Sequence, residues 1–185
     1  MKVFISSLLV STLFIGSLGS AYADGHAKVV GGAPMLPERN IVENAVNSAD
    51  HTTLVAAVKA AGLVETLASE GPFTVFAPVN EGFAELPAGT VENLLKPENK
   101  SQLQKVLTAH VVAGRLDAQA LMKSIESGNG YSNLATLSGD TITVRMDEKG
   151  IYIFDESGGV SRVTIPDVLQ SNGVIHVIDD VLLPK

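Results

Sequence analysis

Ten consecutive residues near the C-terminus, Val174–Leu183, constrain the fold more than any other stretch. In an extended chain Val174, His176, Ile178, Asp180 and Leu182 share one face, and Ile175, Val177, Asp179, Val181 and Leu183 the other. Both faces are mainly apolar, so the segment predicts a central strand covered on both sides. Asn172-Gly173 just before it is a strong short hairpin signal, because both residues tolerate positive φ. It predicts a partner strand over residues 163–171.

The elements upstream differ in period. Residues 40–46 open a helical pattern. Ser48 and Asp50 are cap candidates for a second helix with Leu54, Val58 and Ala61 on one face, stopped by Gly62. Phe73–Ala77 is β-branched and aromatic between Gly71-Pro72 and Pro78, a buried strand by pattern. Asn80 can cap a short helix that turns Phe83 and Leu86 inward, and Thr90 another. A helix over residues 100–109 and one capped by Asp117 follow. Ile142, Val144 and Met146 then alternate with Thr141, Thr143 and Arg145, predicting one buried and one wetter strand face. A turn at Asp147–Gly150 returns the chain antiparallel through Ile151–Phe154. Helices first and strands later predict a single α+β domain.

The N-terminus reads as an export signal. Lys2 precedes a mostly apolar run from Val3 to Ile15, and Ala21-Tyr22-Ala23 supplies small residues at the peptidase positions Ala21 and Ala23. The run falls short of the ~20 residues of a spanning helix. Cleavage after Ala23 would leave 162 residues at a formal charge of −8, since the leader holds one Lys and no acid. That balance opposes nucleic acid and anionic lipid as partners. Residues 24–36 carry three glycines and one proline, with Pro37 directly after, and read as a flexible arm, with the domain at 37–185. No cysteine occurs, which excludes disulfides, thiolate metal sites and cysteine nucleophiles. The expected address is the periplasm or extracellular medium of a bacterium, and the expected state a monomer without a transmembrane segment in the mature chain.

Candidate chemistry is sparse. His176 lies on the doubly covered strand. His110 completes a helical stripe with Leu103, Val106 and Leu107, so both imidazoles are expected to serve as hydrogen-bonding core residues. His26 and His51 have no partner at ligand spacing. Gly130-Tyr131-Ser132-Asn133-Leu134 lacks the closing glycine of a nucleophile elbow, and no phosphate loop, dinucleotide fingerprint or His-Glu-x-x-His is present. Asp179 and Asp180 point to opposite faces of an extended strand and cannot share a metal or a proton there. No catalytic residue, metal or cofactor is expected.

Three ordered segments together resemble the fasciclin, or FAS1, domain. "GPFTVFAPVNEGFAEL" (71–86) resembles its first signature, with Phe73, Phe76, Pro78, Asn80 and Phe83 as structural positions. "SNGVIHVIDDVLLP" (171–184) resembles its second, with Asn172, Gly173, His176 and Asp179. "LTAHVVAG" (107–114) resembles the histidine-bearing segment between them, and residues 31–62 resemble the leader of stand-alone exported bacterial members. The resemblance implies a wedge-shaped β-sandwich of two sheets with helices along one side. It further implies a non-enzymatic adhesion or interaction module whose partner is a protein, a matrix or another cell-surface component. The helix end at Leu107, His110, Val111 and Val112 is the implied binding region. Some animal members use a Tyr-His pair there. Here the pair is Ala109-His110, Val79 stands in place of a common threonine, and Gly82 in place of a common alanine. The alternatives are a carrier of a small apolar ligand in a groove between sheet and helices, and a hydrolase with an unrecognised site.

Overall fold

The structure, a computed structural model, describes residues 27–185. The expected export signal, with Ala21 and Ala23, lies outside the described residues. The chain opens with a hairpin, β1 (Lys28–Val30) and β2 (Ala33–Met35). Helices α1 (Ile41–Ala45), α2 (Thr52–Ala61) and α3 (Val64–Ala68) lead to β3 (Phe73–Pro78). Then come α4 (Asn80–Glu85), α5 (Thr90–Leu94), α6 (Lys100–Ala109), β4 (Val111–Ala113) and α7 (Ala118–Ser127). Strands β5 (Tyr131–Ala135), β6 (Thr141–Asp147), β7 (Gly150–Phe154), β8 (Val160–Gln170) and β9 (Gly173–Ile178) complete it.

Seven strands form one sheet in the order β4-β3-β9-β8-β7-β6-β5. All pairs are antiparallel except β3 with β9. Strand β8 is long enough to serve two half-sheets: its start pairs with β7 and its end with β9. Its register shifts between Val163, Ile165 and Val168, and Asp167 there takes φ +53°. Such irregularity bends a strand, and the bend turns one sheet into the two layers of a wedge. The far edges nearly meet, with Val112 bridging Thr136 and the Leu137 amide donating to Val111 at 2.8 Å.

Alternation along β3 and β9 then feeds two cores. Val75, Ala77, Ile175 and Val177 face the helices. Phe76 and Ile178 face a second cluster inside the curl, with Ile142, Val144, Ile153 and Ile125 of α7. Strand β9 is buried along all six residues.

Local rules account for several ends. Asn40 forms a capping box with Glu43, Asp117 accepts from the Ala120 amide at 2.7 Å, and Gly62 closes α2 at φ +72°. Others differ from the sequence reading. Ser48 makes no cap bond, and α2 is entered through a 3₁₀ turn. Asn80 is the first residue of α4; its Oδ1 accepts from the Thr53 amide at 3.0 Å, so it caps α2 instead. Thr90 likewise follows a Gly89 cap. Met146 is exposed, because β6 has already passed the edge of the core.

Residues 24–36 are not an arm throughout. Gly31 and Gly32 both take positive φ, the requirement of a tight two-residue hairpin, and Val30 and Met35 are buried in the helical core. The β8–β9 turn is also different: Gln170 pairs with Gly173, so the loop is Ser171-Asn172 and neither Asn172 nor Gly173 has positive φ. Gly173 is needed for approach, since a Cβ there would lie 2.1 Å from the Phe73 carbonyl oxygen.

Candidate functional site

Among the described residues three histidines are buried, and each has both ring nitrogens occupied. His110 donates from Nδ1 to the Val106 carbonyl (2.8 Å) and accepts the Leu182 amide at Nε2 (2.9 Å). His176 donates from Nε2 to the Leu116 carbonyl (2.7 Å), accepts the Asp167 amide at Nδ1 (3.3 Å) and stacks on Phe76. His51 donates to the Ala77 carbonyl (3.3 Å) and accepts from the Ser48 hydroxyl (2.9 Å). Each pattern demands a neutral ring. Burial pushes all three below the ordinary histidine value, that of His110 to about 4. None is placed for proton transfer to a substrate.

The other motif residues are bonded within the fold. Asn172 accepts from the Ile41 amide (3.0 Å) and donates to the carbonyls of Leu67 (2.8 Å) and Ser69 (2.7 Å). Asp179 and Asp180 lie past the end of β9. Asp179 accepts from the Arg162 amide at 2.7 Å, whereas Asp180 accepts from the Val181 amide. Among the described residues no group of three His, Cys, Asp or Glu could hold a metal ion.

Leu107, His110, Val111 and Val112 are not a surface. All four are buried, Leu107 and Val111 in the helical core and Val112 in the second core. The helical stripe that ends α6 continues straight into β4, an edge strand covered by the turn at Leu137.

Large outward side chains line the outer face of β5–β8. Cross-strand pairing aligns Tyr131, Arg145, Tyr152 and Arg162 in one row. Asn133, Thr143, Phe154 and Val160 form the row beside it. Each row crosses four strands, about 14 Å at the usual strand spacing. The alternate residues, Ser132, Val144, Ile153 and Ser161, are buried, so these side chains point outward. The Arg145 guanidinium lies over the Phe154 ring, 5.4 Å from its centroid. Arg162 reaches Asp179 at 3.8 Å, with both side chains about half exposed. The alternation in β6 was visible in the sequence; the row was not, since it depends on the register of four strands.

A second feature is a partly open apolar slot of about 70 Å³ between the helices and the sheet, lined by Val75, Ile175, Val168 and Met35 among others.

Comparison with known proteins accounts for both the motifs and the topology. The family model for the fasciclin domain matches residues 49–184. The chain belongs to the fasciclin domain family. It is 50% identical over 144 residues to Protein sll1483 of Synechocystis, covering 78% of this chain and 73% of that one. It is 36% identical over 136 residues to transforming growth factor-beta-induced protein ig-h3 of Sus scrofa, covering 71% of this chain and only 17% of that protein. Among solved structures it matches a FAS1 domain pair from the insect cell adhesion molecule Fasciclin I, with a TM-score of 0.71 at 21% identity. That match covers 80% of this chain and 51% of the other, and it shows the shared fold. Within this fasciclin domain, Gly82 has a local reason: a Cβ there would lie 2.5 Å from the Asp179 carbonyl oxygen. No helix among the described residues is long and apolar enough to cross a membrane.

Proposed function

We propose that this fasciclin domain is an exported, non-catalytic interaction module that binds a protein or another cell-surface component through the outer face of β5–β8. The observation that carries the reading is the Tyr131–Arg145–Tyr152–Arg162 row. Tyrosine and arginine supply large contact area with hydrogen-bond donors and dominate the energetics of protein interfaces. A sheet supports them on a backbone that does not have to order on binding, which lowers the cost of association. The occupied histidine nitrogens support the absence of catalysis, and the name of the insect relative, a cell adhesion molecule, agrees with contact as the role. The expected address is the periplasm or outside the cell, the expected state a monomer, with no metal or organic cofactor.

The test is capture from the envelope fraction of the native host by the exported protein and by an Arg145→Ser/Tyr152→Ser variant. Both sites are outside the two cores, so the variant should melt near the parent. Retention of a specific envelope component should fall at least tenfold, as expected for loss of two central contacts. Equal retention by the folded variant refutes this face as the interface. The carrier reading is favoured by a separate observation, the apolar slot.

A further inference from the structure

The floor of the slot is one row of the sheet. Val111 pairs with Val75, Val75 with Ile175, and Ile175 with Val168, so four aliphatic side chains line up across four strands. The row spans about 14 Å at the usual strand spacing. Leu137 stands beyond its Val111 end and Met35 of the hairpin beyond its Val168 end, and both line the slot. A volume of about 70 Å³ drawn out over such a floor is narrow. A compact cavity that takes benzene measures ~150 Å³. The slot is about half that size, so a chain long enough to cover the row must push its lining apart.

The lining would also stay dry. Its buried polar members are bonded to the protein, His51 to Ser48 and Ala77, His110 to Val106 and Leu182, and half-buried Thr108 to Gln104, while Lys59 and Thr66 lie at its exposed margin. Among the described residues no buried side-chain nitrogen or oxygen lacks a partner. Water needs two to four polar partners to occupy a cavity, and an apolar one without them stays empty or takes an apolar guest.

One wall is a short hairpin. The β1–β2 hairpin contributes Val30 and Met35, and is held at its tip by the Ala49 amide donating to Gly31 (3.1 Å). At its start Lys28 donates to the Pro166 carbonyl. It pairs with no strand of the main sheet.

We propose that the slot binds the hydrocarbon chain of a linear aliphatic molecule, admitted by displacement of the β1–β2 hairpin. This rests on the carrier reading and not on the outer sheet face. Titration of the exported protein with 1-butanol, 1-hexanol, 1-octanol and 1-decanol tests it, followed by the methyl NMR signals of Val75, Val168 and Ile175. Saturable shifts are expected at these residues. Affinity should rise about fourfold per added methylene until the floor is filled, then level off. Ala45→Leu, which fills the slot from α1, should weaken binding at least tenfold without lowering the melting temperature. Should that variant fail to fold, Met35→Ala decides: it lengthens the slot at the hairpin end and should move the levelling point to a longer alcohol. The Arg145→Ser/Tyr152→Ser variant should bind the alcohols like the parent. Absence of saturable shifts with octanol overturns the proposal, as does affinity that climbs through decanol without levelling, or loss of alcohol binding in the sheet-face variant.

Discussion

Nε2 of His110 accepts the main-chain amide of Leu182 at 2.9 Å, a bond that spans 72 residues inside the protein. It ties the end of α6 to the segment that follows β9. The other ring nitrogen is committed to Val106, so the imidazole is a two-ended strut that works only when neutral. A histidine in this place joins the helical layer to the sheet, which gives the middle family segment a structural purpose independent of any tyrosine before it.

Acid should loosen this strut. The folded-state value of His110 is held at about 4 against 6.5 for the free side chain, chiefly by burial. A depressed histidine leaves the unfolded chain holding more protons, so stability is complete above about pH 6.5 and declines as pH falls towards 4. The displacement corresponds to about 3 kcal/mol. His51 and His176 shift in the same direction. Urea midpoints measured from pH 8 to pH 4.5 should fall steadily, and the fall should be shallower in His110→Gln. A variant whose acid slope matches the parent would show that the ring is not the titrating group.

Gly173 and Asn172 should fail for different reasons when changed. In Gly173→Ala the new Cβ meets backbone, not a movable side chain, 2.1 Å from the Phe73 oxygen. The β3–β9 pair must separate, at about 3 kcal/mol. Asn172→Ala removes three bonds and leaves the Ile41 amide without its acceptor, again costing about 3 kcal/mol. Denaturant unfolding of both variants checks the sizes. A native-like midpoint for Gly173→Ala would mean that the strands have room to spare.

These two residues also show where reading the sequence succeeds and where it stops. The doubly apolar run 174–183 places β9 at the centre correctly, because burial on both faces follows from composition alone. The Asn-Gly signal marks the right turn for the wrong reason: its glycine serves the parallel neighbour β3, which is 100 residues away in the chain. The real positive-φ pair, Gly31-Gly32, sits among prolines and other glycines, where a two-residue hairpin looks like a loose arm. Leu107–Val112 could be seen to be apolar, but whether an apolar helix end faces a partner or its own sheet depends on tertiary packing. The Tyr131–Arg145–Tyr152–Arg162 row had no local signal beyond the alternation in β6, since its members come from four strands.

At Asp167 strain and bonding can be separated by substitution. It takes φ +53° in the bend of β8, a conformation that an L-residue other than asparagine or aspartate adopts at a cost of about 1 kcal/mol. Its Oδ1 accepts from the Ala118 amide at 2.7 Å, at the first turn of α7, and its own amide donates to His176. The bend therefore delivers a carboxylate to a helix start and a donor to a buried ring in one step. Asp167→Asn keeps the acceptor and tolerates the conformation, so it should lie within about 1 kcal/mol of the parent. Asp167→Gly relieves the strain but loses the bond to Ala118, and should cost about 1–2 kcal/mol. Asp167→Ala loses the bond and keeps the strain, so it should be the least stable, below glycine by about 1 kcal/mol. The order Asn, Gly, Ala in urea midpoints is the expected result. An alanine variant as stable as the glycine one would mean that β8 straightens on substitution, and that the two half-sheets do not depend on this residue for their angle.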